Sequence, residues 1–169
     1  MYVLYKKNTG VEAVTVTRQP PVGCRVKVLR PVPWKLFINE EKIVFKTALL
    51  RLYFWLITQG TFKIYYVCSE NKALHSSYVI PKCGKFPFLG NGEFEIGPCI
   101  TSTGSRRKGY YYYILEYISS LEEYTNTCLY MIVGSTNIAS VKGIEKAGFV
   151  KCGEMEKTRF KNYRIRTER

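Results

Sequence analysis

The residues best suited to chemistry fall between Glu93 and Tyr113. Glu93 and Glu95 stand two apart in a stretch that reads as a strand, so their side chains share one face. A carboxylate in a partly desolvated cleft can take the proton that an amine must lose when it acts as a nucleophile. Glu95 is the candidate general base, with Glu93 as second choice acting through water. Both residues would also suit the polar end of an ordinary strand. Downstream comes a basic turn, Arg106-Arg107-Lys108-Gly109, and then a helical stretch. A helix start presents backbone N–H groups without intrahelical partners and the positive end of the helix dipole. Together these suit an anion such as a pyrophosphate. The three cations add to that field, and Gly109 removes the β-carbon that would keep a ligand off the main chain. The spacing is not that of a Walker loop. A solvated turn would carry the same residues, so the turn alone leaves both readings open.

Other chemistries are poorly provided for. The six cysteines form no CxxC pair and no zinc-like spacing with the one histidine, His75, so no metal is expected. Free thiols and the lack of a secretory start favour a cytoplasmic setting. Cys99 reads as a packed thiol, because His75 lies on another strand with no visible link to it. His75 itself is expected to be structural or exposed. The most apolar window, Ala48–Ile57, contains Arg51 and is too short to span a bilayer.

The formal charge is +13, concentrated at the ends. Met1–Lys35 carries seven Lys/Arg against one Glu, and Lys151–Arg169 seven against three. This fits a basic surface or attraction of an anionic ligand, and charge alone does not choose between them.

The elements that must position these residues follow from pattern. Tyr2–Lys6 and Glu12–Arg18 flank a turn and predict a hairpin. Cys24–Leu29, Phe62–Cys68, Leu74–Ile80, Glu93–Ser102, Thr127–Val133, Lys151–Arg159 and Tyr163–Thr167 read as strands, with Gly97-Pro98 marking a bulge or splay. Helices are predicted over Glu40–Thr58, Gly109–Glu123 and Ile138–Ala147, the last closed by Gly148. In the first, Thr47, Arg51 and Thr58 form a polar stripe. In the second, Tyr110, Ile114, Tyr117 and Leu121 share a face expected in the core. The order predicts a mixed α/β fold in a single domain over residues 1–169.

Arg106-Arg107-Lys108-Gly109-Tyr110-Tyr111 resembles the [QR]xxGx[GA] signature of the GNAT acyltransferases. The preceding Glu95-Ile96 and Cys99–Thr103 are similar to the fourth strand of that family's histone acetyltransferase branch. Asn137, Ser140, Glu145-Lys146 and Gly148-Phe149 resemble its NxxAxxxYEKxGF segment. The likeness covers roughly Phe62 to Arg159. It implies a central, mostly antiparallel sheet that splays between two parallel strands and is flanked by helices. It also implies acetyl-CoA as acyl donor to an amine acceptor, such as an amino sugar or other small metabolite, by direct attack in a ternary complex. The implied contacts to acetyl-CoA are Cys99, Ile100, Thr101, Arg106, Arg107, Lys108, Gly109, Tyr110, Tyr111, Asn137 and Ser140, with the amides of Cys99 and Thr101 polarising the thioester. Among bacterial members, the stretch from Ile96 to Leu115 is most similar to transferases encoded with surface-polysaccharide genes.

Two positions depart from the family pattern. Tyr111 stands where Gly or Ala is usual. Ile144 stands where the family has the tyrosine that protonates the leaving thiolate, and Ile has no proton to give. A different tyrosine, such as one of the Tyr110–Tyr113 run, a water or the ammonium product would then serve, or the step would manage without a dedicated acid. The rival readings are a CoA-binding fold without catalysis and a basic nucleic-acid-binding module. Tyr163-Arg164-Ile165-Arg166 could serve the latter by stacking and charge, but no recognised nucleic-acid motif accompanies it. A homodimer is compatible with all three.

Overall fold

The computed structural model describes residues 1–10, 20–30, 32, 45–70, 72–158 and 162–166, with the side chains of 45–47 left aside. Eight strands form one sheet in the order β2-β3-β4-β5-β6-β1-β7-β8. The strands are β1 Tyr2–Asn8, β2 Cys24–Leu29, β3 Lys63–Ser69, β4 Lys72–Pro81, β5 Phe94–Thr101, β6 Cys128–Gly134, β7 Val150–Lys157 and β8 Tyr163–Ile165. The helices are α1 Phe45–Thr58, α2 Tyr110–Ser119 and α3 Ile138–Lys146. Every pairing is antiparallel except that of β5 with β6.

The parallel pair is short. Phe94 faces Leu129 and Glu95 faces Tyr130, and the two strands then separate. Beyond Glu95 the chain meets Gly97-Pro98, where β5 also shifts register against β4. Proline has no N–H to give a ladder, and glycine has no side chain to pack against it. The sheet therefore opens at the place where the sequence predicts a splay.

Period-two burial divides the core between the two faces of the sheet. On one face Tyr65 and Val67 of β3 pack with Ile114, Leu115 and Ile118 of α2 and with Ile144 of α3. On the other, Ile64, Tyr66 and Cys68 pack with Phe54 of α1 and with Phe86 and Leu89 of the β4–β5 loop. No helix among the described residues is long and apolar enough to cross a membrane.

Several expectations change. Both neighbours of β1 are β6 and β7, and the predicted hairpin partner Glu12–Arg18 lies outside the described residues. The predicted start of α1 at Glu40 lies outside them too. The polar stripe of α1 turns inward: Arg51 and Thr58 are buried, whereas Leu49, Tyr53 and Leu56 are exposed. Arg51 donates to the Tyr66 hydroxyl, and Thr58 donates its hydroxyl to the Phe54 carbonyl at 2.6 Å. Helix α2 stops at Ser119 rather than Glu123. The chain turns there to bury Tyr124, whose hydroxyl lies 2.9 Å from that of Tyr65, and to pair Glu123 with Lys63. The buried face of α2 is Tyr113, Ile114, Leu115 and Ile118, while Tyr110, Tyr117 and Leu121 are only half-buried.

Candidate active site

The splay between β5 and β6 is the mouth of a cavity of about 430 Å³. Its rims are Glu95–Cys99 on one strand and Met131–Gly134 on the other. Tyr111, Asn137, Ser140 and Ile144 line it from the face of α2 and α3. Leu50, Phe54, Lys85, Phe86 and Tyr163 line it from the opposite face. Since these two sets belong to different sides of the sheet, the cavity passes through the sheet at the splay.

Glu95 stands where the passage begins. It is 4% exposed, its Oε2 has no hydrogen-bond partner among the described residues, and it is held against Gly97, where a β-carbon would lie 2.6 Å from Oε1. Burial pushes its carboxyl up to about 8, against the pull of the Lys85 ammonium. A carboxyl poised near neutral pH is suited to exchange protons with a substrate. Glu93 is committed elsewhere. Its Oε2 accepts from the Gly90 amide at 2.6 Å and its Oε1 from the Tyr130 hydroxyl at 3.3 Å, and it does not line the cavity. The strand alternation that put it beside Glu95 fails because β5 begins only at Phe94.

The main chain of β5 offers donors on the open side. The Ser102 amide donates to Leu74 O on the β4 side at 3.0 Å. By alternation, the amides of Cys99 and Thr101 turn the other way, toward the splay. Ile100 between them is exposed at 44%.

The basic turn has the geometry of a helix entry. Arg106, Arg107, Lys108 and Gly109 are exposed, and both Arg107 and Gly109 adopt left-handed backbone, with φ of 63° and 80°. The first hydrogen bond of α2 runs from the Tyr113 amide to Gly109 O at 3.0 Å. The amides of Tyr110 and Tyr111 therefore have no carbonyl one turn behind them. Asn137 caps α3, its Oδ1 accepting from the Ser140 amide at 3.3 Å, and both residues border the cavity.

Tyr111 takes a place its sequence position did not suggest. Its ring lies on Gly143 of α3, so closely that a β-carbon at Gly143 would sit 2.8 and 2.9 Å from two ring carbons. It borders the cavity together with Ile144, which is 1% exposed. Burial, reinforced by the neighbouring Cys99 and Glu95, raises its phenol well above the ordinary tyrosine value and keeps it protonated.

The link between His75 and Cys99 that the sequence did not reveal runs through Ser77. His75 is buried, with Nε2 2.9 Å from Ser77 Oγ and Nδ1 2.7 Å from Thr101 Oγ1. Ser77 Oγ donates to Cys99 Sγ at 3.2 Å. Burial holds the imidazole down at about 4 and the Cys99 thiol up at about 12, so this chain of contacts stays neutral. It braces β4 against β5 and does not activate a thiolate nucleophile. Sequence reasoning also missed Lys85, Tyr163 and Gly143. Of these only Gly143 carried a signal, as a glycine inside a helix marks a close approach.

No family model matches the sequence, and no curated protein matches it either. Solved structures do. An acetyltransferase of the GNAT family from Colwellia psychrerythraea superposes with a TM-score of 0.57 at 14% identity, over 89% of this chain and 52% of that one. A tandem GNAT protein from the clavulanic acid biosynthesis pathway gives 0.58 at 12%, over 89% and 50%. A GCN5-related N-acetyltransferase from Kribbella flavida gives 0.52 at 11%, over 88% and 53%. The chain thus has a GNAT-type fold and spans about half the length of each of these proteins.

Proposed function

We propose that this chain is an acetyl-CoA-dependent N-acetyltransferase in which an amine acceptor attacks the thioester directly while both substrates are bound. The observation that carries this reading is the passage through the sheet with Glu95 at its edge and Tyr111 beside it. A passage open to both faces lets donor and acceptor enter from opposite sides and meet at the splay, which favours a ternary complex over a covalent enzyme intermediate.

The donor fits the face of α2 and α3. The amides from Arg107 to Tyr111 receive its pyrophosphate, with Arg106, Arg107 and Lys108 supplying counter-charge. Asn137 and Ser140 flank the arm that leads to the thioester, and Ile100 borders the same strand. The amides of Cys99 and Thr101 polarise the thioester oxygen, where negative charge grows during attack. Glu95 takes the proton from the amine as its nitrogen bonds to the acyl carbon. As the carbon–sulfur bond breaks, Tyr111 gives its phenolic proton to the departing thiolate, the role for which Ile144 has no group. The proton on Glu95 returns to solvent and re-protonates Tyr111 through water.

The acceptor class to test first is an amino sugar or another small amine, in line with the resemblance to transferases encoded with surface-polysaccharide genes. The reaction belongs to the cytoplasm, where acetyl-CoA is made available. The test is release of free thiol from acetyl-CoA by the purified protein with a panel of amino sugars, small amines and a lysine peptide. Amine-dependent release with matching acetylated product is the expected outcome. Stabilisation by CoA without release for any amine would replace this reading with a CoA-binding fold lacking catalysis. Absence of both, with binding to oligonucleotides, would favour the basic nucleic-acid module.

A further inference from the structure

The face of the cavity away from α2 and α3 holds an ammonium that makes no direct ion pair with a described carboxylate, although the Glu95 charge reaches it. Lys85 borders the cavity, and its Nζ lies 4.9 Å from the ring centre of Phe54, 5.2 Å from that of Tyr53 and 5.8 Å from that of Phe86. Ring faces attract a cation and fix its position, but they offer no oxygen to its N–H groups. Among the described residues no carboxylate lies within salt-bridge distance of Lys85. A second cation stands near: Lys157 sits 5.4 Å from the ring centres of both Tyr2 and Tyr163, and its charge is felt at Lys85. Tyr163 borders the same cavity, and its amide is tied to the Lys85 carbonyl at 3.0 Å.

Glu95 lines the same cavity, more than nine-tenths buried and with Oε2 lacking a hydrogen-bond partner among the described residues. The cavity therefore offers one cationic group and one carboxyl that feel each other's charge but make no direct ion pair among the described residues. A neutral amine would answer only the carboxyl. A polycationic amine would answer it too but would have to bring further charge toward two ammonium groups. A molecule that carries an anion beside its amine answers both ends.

We propose that the acceptor of this enzyme is a primary amine bearing an anionic group, a phosphate or a carboxylate, with the anion on Lys85 and the amine toward Glu95. The inference rests on the transferase reading above. It narrows the acceptor from any amine to one class. The aromatic cage holds Lys85 in place before the ligand arrives, so little side-chain entropy is lost when the anion binds. The reaction supplying such an acceptor must place an amino group on an already phosphorylated or carboxylated metabolite, or phosphorylate an amine.

The experiment compares matched acceptors with the intact protein and acetyl-CoA: glucosamine with glucosamine 6-phosphate, ethanolamine with its phosphate monoester, and propylamine with β-alanine. Thiol release is followed for each. The anionic member of at least one pair should show a KM about 10-fold or more below its neutral partner, as a charge-assisted hydrogen bond provides. Which pair responds separates phosphate from carboxylate. K85M should remove most of the KM difference between the anionic and neutral members of that pair, whatever it does to both through the Glu95 carboxyl, and leave the KM of acetyl-CoA where it was. Equal KM values within every pair overturn the proposal while leaving the transferase reading in place. No release with any of the six amines overturns both. If K85M does not fold, the wild-type pairs still decide the matter, and K157M should narrow the same KM difference by less.

Discussion

The two faces of the passage are built from different material. On the face of α2 and α3, the groups available to a ligand are mainly main-chain N–H groups and a helix start, carried by two short runs, Arg106–Tyr111 and Asn137–Ser140. On the opposite face they are side chains, Phe54, Lys85, Phe86 and Tyr163, drawn from α1, the β4–β5 loop and β8. A pyrophosphate can be held by amides in a turn of fixed shape, so its site has a fixed residue spacing. A particular acceptor must be matched by side chains, and those can come from any part of the chain that the fold brings near. On the proposed reading, the donor face is thus generic and the acceptor face particular. Substitutions should separate them, and the largest effects should fall where the faces meet.

Glu95 is that meeting point. Glu95→Gln should lower turnover by about 100-fold or more while CoA still stabilises the protein, because a positioned base acts on the chemical step alone. Wild-type turnover should climb as pH rises through about 8 and then level, and the residual activity of the variant should lack that step. Stability should move the opposite way. A carboxyl raised from 4.5 to about 8 by folding favours the native state while protonated, so its contribution is full below about 4.5 and is lost as pH rises through 8. The wild type should therefore melt lower at pH 9 than at pH 6, and Glu95→Gln, always neutral, should lose less over that interval. Equal turnover of the two proteins at every pH would move the base elsewhere and remove the functional meaning of the splay.

What could be read from the sequence follows the same division. The splay at Gly97-Pro98, the helix entry at Gly109 and the cap at Asn137 are local, and the residues that make them are neighbours in the chain. The carboxyl of Glu95 was legible because one strand fixes its place. Glu93 was misread because a turn, not a strand, holds it. The inward turn of Arg51, the contact of His75 with Cys99 through Ser77, and the cage around Lys85 depend on pairs far apart in sequence. Period and spacing carry no information about such pairs. Gly143 and Tyr111 are the intermediate case: each is unusual for its place, and only the packing of α2 on α3 shows that one oddity makes room for the other.

That pair gives the next effect in size. Tyr111→Phe should lower turnover about 10-fold with unchanged melting temperature, less than the loss at Glu95 because a thiol of pKa near 8.5 leaves with little assistance. The deficit should shrink as the leaving group becomes more acidic, as with an aryl thioester donor. Gly143→Ala should act through the same ring. Its new methyl would sit 2.8 Å from a ring carbon, so the tyrosine must shift and turnover should fall even though alanine favours the helix. In the Tyr111→Phe background, Gly143→Ala should cost little further turnover, since the hydroxyl it would displace is already gone. Full additivity of the two would mean that the ring only packs.

The smallest effect on turnover belongs to the generic face. Arg106 and Lys108 are exposed, and neither forms an ion pair with a carboxylate among the described residues. Exposed charges contribute only about 0.2–1 kcal/mol each, and the helix dipole and amides that remain do not depend on side-chain identity. Reversing both to Glu should raise the KM of acetyl-CoA by roughly 5- to 30-fold at low salt, from about 1–2 kcal/mol in all. Turnover at saturation should be unchanged. Raising the ionic strength to 1 M shortens the screening length to about 3 Å and should bring the two proteins together. A loss that persists at high salt would mean that these side chains grip the phosphates directly, and the donor face would then be as particular as the acceptor face.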